Sequence, residues 1–330
     1  MKRNISEEIS ALTYSKYLQG RFVSGHFTTL VLLCAALCMW AVSLFVDKLS
    51  SAHDAFWGLG GFLTAVVTLF CLVIAAVVLG SFNLFERRVR WLASLFLWLA
   101  SASPFLSGNV TSAFSILFLL VIIAFMFHCQ TCGILELMLY KMFFTVGIAT
   151  LFFPSFLLLL PVFMFAPFAG NNFGFKKILA MFLGLLTPFW LLFGGVYVYP
   201  ALEVLAMPFL TGLDGLFQIN FSMPSMFGGF IFVSEMLVLF PFIFCFLGSS
   251  IPGKPTLRRR LVFILSLYVY LLLISIIFGN HELFFAWRLP LLTIMVSFVF
   301  SLKINRWSNI YFIFLNLIWL ATVPLYIWLT

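Results

Sequence analysis

Charge is scarce in this sequence. Eighteen basic and ten acidic side chains are spread over 330 residues, 8% of the chain, against 64% hydrophobic residues. A soluble domain is about half apolar and about a quarter charged. A chain this poor in charge cannot surface a water-soluble domain of any size, so a soluble enzyme is excluded. The net charge of +8 is small and scattered, and it points to no nucleic-acid partner.

Cysteine is sparse as well, at six residues. Cys34 and Cys38 are spaced i, i+4, and Cys71 and Cys245 stand alone in apolar runs. Only HCQTC, residues 128–132, brings a His and two Cys together. A structural zinc needs four ligands, and no second Cys/His pair exists. A thioredoxin-type CxxC needs a soluble βαβ setting. His128, Cys129 and Cys132 therefore read as small residues of a helix hairpin, and no metal or other cofactor is expected. No phosphate-binding GxxxxGK[ST], no GxSxG, no HExxH and no carboxylate-rich metal motif occurs. No internal repeat supports an inverted-repeat transporter.

A cleavable leader is not expected either. Residues 1–26 carry Lys2, Arg3, Glu7, Glu8, Lys16 and Arg21, too mixed for a typical leader. Ile5, Ile9 and Leu12 recur at helical spacing. Residues 1–26 thus read as an amphipathic segment lying on the cytoplasmic surface.

What is abundant is apolar length. Runs near the roughly 20 residues that span a bilayer predict an all-α polytopic bundle of about eleven spans. They lie at 27–46, 57–82, 91–106, 111–127, 133–152, 153–169, 178–199, 228–247, 261–278, 283–302 and 309–329. Residues 27–330 form a single transmembrane domain in this reading. Basic residues test the count, because cytoplasmic loops are rich in Lys and Arg. With the N-terminus inside, sixteen of the eighteen basic residues face the cytoplasm, and only Lys48 and Arg288 fall outside. The C-terminus is then outside. A single crossing by 133–169 would move Arg258, Arg259 and Arg260 outward, so charge favours two.

The one long connection, 200–227, has no Lys or Arg and is expected on the outer side. It is too apolar for a free loop. Ala201–Leu210 should lie at the interface as a short helix ended by Gly212, capping a site beneath it.

Five residues stand out as candidates. Glu235 lies about two turns inside the eighth span, where a carboxylate costs a few kcal/mol and is usually paired, protonated or cavity-facing. Arg288 lies one to two turns below the outer end of the tenth. Arg offers a planar fork of donors suited to phosphate, and it is also a natural partner for Glu235. Snorkelling beside Trp287 is the bland alternative for Arg288. His281 and Glu282 sit at the outer mouth of the same span. With Asp54, in the first outer loop beside His53, they are candidate general bases.

The segment Gly147–Trp190 resembles a family of multi-pass inner-membrane proteins in Bacteroidetes. The shared features are Thr150-Leu151-Phe152-Phe153-Pro154 and the GLLTPF stretch, Gly184–Phe189. More remotely it is similar to membrane glycosyltransferases that use polyprenyl-phosphate sugars, and to O-antigen polymerase-like proteins. The resemblance implies a bacterial inner-membrane location and a polyprenyl-phosphate glycolipid as partner. It implies an acid in the first outer loop, a place that Asp54 fills; Ala55 stands where a second acid is expected. On this reading Glu282 and Asp54 are catalytic, and Arg288, Glu235 and His281 contact substrate. A transporter or a scaffold subunit of envelope assembly is the alternative.

Overall fold

The computed structural model describes residues 34–38, 40–41, 59–82, 91–103, 106, 109–129, 135–165, 174–200, 203–216, 226–248, 255–279, 281–302 and 306–329. Every regular element among them is helical: α1 Leu59–Gly80, α2 Trp91–Ser101, α3 Val110–Cys129, α4 Leu135–Phe152, a 3-10 segment Pro154–Leu159, α5 Leu160–Phe165, α6 Phe175–Val198, α7 Glu203–Leu216, α8 Met226–Gly248, α9 Pro255–Phe278, α10 His281–Leu302, α11 Arg306–Leu320 and α12 Thr322–Leu329. Seven of these, α1, α3, α4, α6, α8, α9 and α10, are long and apolar enough to cross a membrane. The chain is a helical, multi-pass membrane protein.

Several expected spans look different. The third is only the 11-residue α2. The sixth, 153–169, is not one helix but the 3-10 segment followed by the short α5. The cause is Pro154: a residue before proline is pushed out of the helical region, and Phe153 adopts φ −133°, ψ 88°, so α4 stops at Phe152. The eleventh is interrupted at Ala321, between α11 and α12. Most of the first, and the amphipathic segment 1–26, lie outside the described residues.

The described residues fall into two compact units. One is drawn from Met1–Ala113, Pro224–Gly253 and Leu289–Thr330, the other from Phe114–Met223 and Lys254–Arg288. In the first unit, α1 packs on α2, and α8 packs on α11 and α12. Two long-range hydrogen bonds tie it together. The Thr322 hydroxyl donates to the Ala102 carbonyl at 2.7 Å, and the Tyr311 hydroxyl donates to the Leu237 carbonyl. Phe242 packs on Phe298, ring centroids 5.4 Å apart.

The second unit is organised by α4 and α6. A Cβ placed on Gly147 would lie 2.8 Å from the Leu185 carbonyl oxygen and 2.9 Å from Pro188. One placed on Gly184 would lie 2.5 Å from the Tyr140 carbonyl oxygen and 3.1 Å from Phe143. Small residues let membrane helices approach backbone to backbone. The Tyr140 hydroxyl and the Thr187 hydroxyl meet at the same interface, 3.3 Å apart. Position 143 matches 184 and 147 matches 188, so the two helices run parallel. The chain must therefore return from the end of α4 before α6 begins, and the 3-10 segment and α5 start that return.

The polar requirements of that return are met by α9. Pro161 has no N–H, so the Leu158 carbonyl lacks the donor that a continued 3-10 turn would supply. The Tyr270 hydroxyl donates to it at 2.6 Å. The capping helix α7 closes the same end as Pro154. It runs from Glu203 to Leu216 and does not stop at Gly212. Gly212 is inside the helix because a Cβ there would meet the Pro154 ring at 2.6 Å. Phe209 of α7 packs on Phe189 of α6, centroids 5.1 Å apart.

Candidate functional site

The tight turn into α10 is built by Gly279. It has φ 69°, the left-handed conformation that ends helices at glycine, and its N–H donates to the Ser275 carbonyl at 3.2 Å. α9 thus ends at Phe278 and α10 begins at His281.

α10 is an interior helix. Of its most apolar stretch 94% is buried, against 17% for α6, although both are apolar enough to face lipid. Trp287 is fully buried. Its indole N–H donates to the Ser115 hydroxyl at 2.9 Å, and its ring lies 4.6 Å from that of Phe156 and 5.5 Å from that of Phe284. A buried indole needs such a partner, so Trp287 sets the rotation of the helix.

That rotation places Arg288. It is only 4% exposed. Its guanidinium lies 5.9 Å from the centroid of the Phe285 ring, within cation–π range. Seven residues bring His281 and Arg288 to one face of the helix, about 10 Å apart along the axis. His281 is half-buried and Glu282 is exposed. Glu282 is turned about 120° from Arg288 around the axis, so acid and arginine leave the helix in different directions. Pro290 has no N–H, which leaves the Ala286 carbonyl without its helical donor in the turn that holds Arg288.

Glu235 is fully buried in α8, within the first unit, whereas His281, Glu282 and Arg288 belong to the second. Asp54 and His53 lie outside the described residues. Asp214 ends α7. Among the described residues no group of three or more His, Cys, Asp or Glu is placed to hold a metal ion. Cys129 is buried and His128 is exposed at the end of α3.

Arg260 is a contributor that the sequence reading grouped with its neighbours. Its guanidinium donates to the Phe127 carbonyl at 3.3 Å and lies 5.1 Å from the Phe127 ring centroid. Phe127 is in the last turn of α3, where carbonyls have no helical donor and a cation is favoured. Three consecutive arginines cannot share a helix face, and that spacing was the available signal.

No protein-family profile, no curated protein and no solved structure matches this chain.

Proposed function

We propose that the protein handles a polyprenyl-phosphate-linked sugar or related glycolipid at the outer face of a bacterial inner membrane. The N-terminus is in the cytoplasm and the C-terminus outside. The observation that carries this reading is the burial of Arg288 in a helix apolar enough to cross a membrane. An arginine held there is expensive and is usually functional. Its fork of donors suits a phosphate oxygen pair. Arg288 receives the phosphate and His281 lines the approach on the same helix face; the proton of the acceptor hydroxyl needs a base other than Glu282, which leaves the helix on another side. The resemblance of Gly147–Trp190 to polyprenyl-phosphate-dependent enzymes supports this substrate class and offers Asp54 for the same proton-accepting task. The parallel run of α4 and α6 supports two crossings in 133–169, the parity that keeps sixteen basic residues cytoplasmic.

The test is chemical. In cells of the native host carrying only Arg288→Gln, matched for membrane level of the protein, polyprenyl-phosphate-linked sugar should accumulate in lipid extracts read by mass spectrometry. Unchanged lipid-linked sugars and unchanged surface glycans would overturn the reading.

One observation favours a second reading, a proton-coupled transporter. Glu235 is 0% exposed in the middle of α8, the position of a carboxyl that gains and loses a proton during transport. Under that reading, reconstituted protein moves protons under an imposed gradient and Glu235→Gln stops it. The glycolipid reading expects no such flux.

A further inference from the structure

A groove of about 670 Å³ runs along α9, walled on its other side by Pro161, Val162 and Phe165 of α5. From α9 it is lined by Pro255, Arg258, Arg259, Val262, Phe263, Ser266 and Tyr270, a spacing that marks one helix face. The two arginines stand together at one end and are exposed. Beyond them the wall is apolar apart from two hydroxyls. Both of those are already donating, Ser266 to the Phe263 carbonyl at 2.9 Å and Tyr270 to the Leu158 carbonyl at 2.6 Å. Among the described residues the groove therefore presents two cations at its mouth and no spare polar donor along its length.

That polarity selects an amphiphile. A sugar or nucleotide needs polar partners along the wall, whereas an acyl chain needs none. The length agrees. From Arg259 to Tyr270 is eleven residues, about 16 Å of helix. Half of the hydrocarbon core of a bilayer is about 15 Å. Arg260, the third basic residue, is turned to Phe127 and does not line the groove.

We infer that the groove between α5 and α9 is a binding site for an anionic phospholipid, its phosphate headgroup held by Arg258 and Arg259 and one acyl chain lying along Val262, Phe263 and Phe165 up to Tyr270. The site needs the chain to be in a membrane. It does not depend on the chemistry proposed at Arg288, and it uses none of the same residues.

The probe is native mass spectrometry of the full chain in detergent, titrated with phosphatidylglycerol or with phosphatidylcholine of the same acyl chains. Wild type should retain phosphatidylglycerol roughly tenfold more tightly, as two surface arginines near a lipid phosphate imply. The double variant Arg258→Gln, Arg259→Gln should lose that preference, while the double Lys variant keeps most of it. Val262→Trp, which fills the groove, should weaken both lipids, and soluble glycerol phosphate should not compete. Wild type without preference, a double Gln variant that retains it, or full competition by glycerol phosphate would each overturn the inference. Monodispersity and helical content by circular dichroism confirm that each variant is folded. An Arg288→Gln protein should bind phosphatidylglycerol as wild type does, which separates this site from the proposed outer one.

Discussion

Gly147 of α4 and Gly184 of α6 each face the backbone of the other's helix, so closely that a Cβ on Gly147 would sit 2.8 Å from the Leu185 carbonyl oxygen and one on Gly184 2.5 Å from that of Tyr140. The parallel direction of α4 and α6 rests on this reciprocal contact.

Alanine at Gly147 or Gly184 should push the pair apart. Overpacking of this kind costs about 1–3 kcal/mol, because the obstructing atoms are mainly backbone and cannot rotate away. A lowered thermal midpoint in detergent for both variants is the expected result. Gly194→Ala, a site with nothing within 4 Å, is the control and should match wild type or exceed it.

Tyr270→Phe should destabilise by about 1–3 kcal/mol, since it removes the donor from the Leu158 carbonyl and leaves the shape of the groove intact. Wild-type stability in this variant would mean that the carbonyl has another donor and that the hydroxyl is dispensable.

The three adjacent arginines should separate cleanly in a stability assay. Arg260→Ala should lower the thermal midpoint, because it strips a cation and a donor from the end of α3. Arg259→Ala should stay within about 0.5 kcal/mol of wild type, as exposed surface substitutions do. Equal losses at the two positions would contradict the division of labour between cap and groove.

Orientation can be read by labelling. In a cysteine-free background, a cysteine at position 214 should react with an impermeant thiol reagent added to intact cells stripped of their outer barrier, and one at 259 should react only after lysis. The reverse pattern would turn the whole topology over.

How much was legible beforehand differs by element. The long apolar helices were, because a stretch of about 20 residues without charge has few other uses in a protein. His281 and Glu282 were legible as the outer mouth of the tenth span, although the span was expected to begin at Leu283 and α10 begins at His281. The break after Phe152 was legible, since the fifth and sixth spans divide there and α4 ends there; what hydropathy does not register is that the chain continues past Pro154 as a 3-10 segment. Gly212 was misread as a stop signal. Glycine marks both helix ends and close approaches, and only the Pro154 ring beside it tells which.

Sequence alone determined that this is a helical, multi-pass membrane protein and drew attention to Arg288 and Glu235, because a charge inside an apolar run is visible as text and has few inexpensive explanations. Tertiary structure decided the environment of each charge. It placed Arg288 in the interior over Phe285 and sent Arg260 to the end of α3. It left Arg258 and Arg259 at the mouth of a groove. Those fates depend on helix rotation and on which helices are neighbours. They are set by contacts such as Trp287 on Ser115 and Gly184 on Tyr140, between residues 172 and 44 positions apart in the chain, and hydropathy, a local average, carries no information about them.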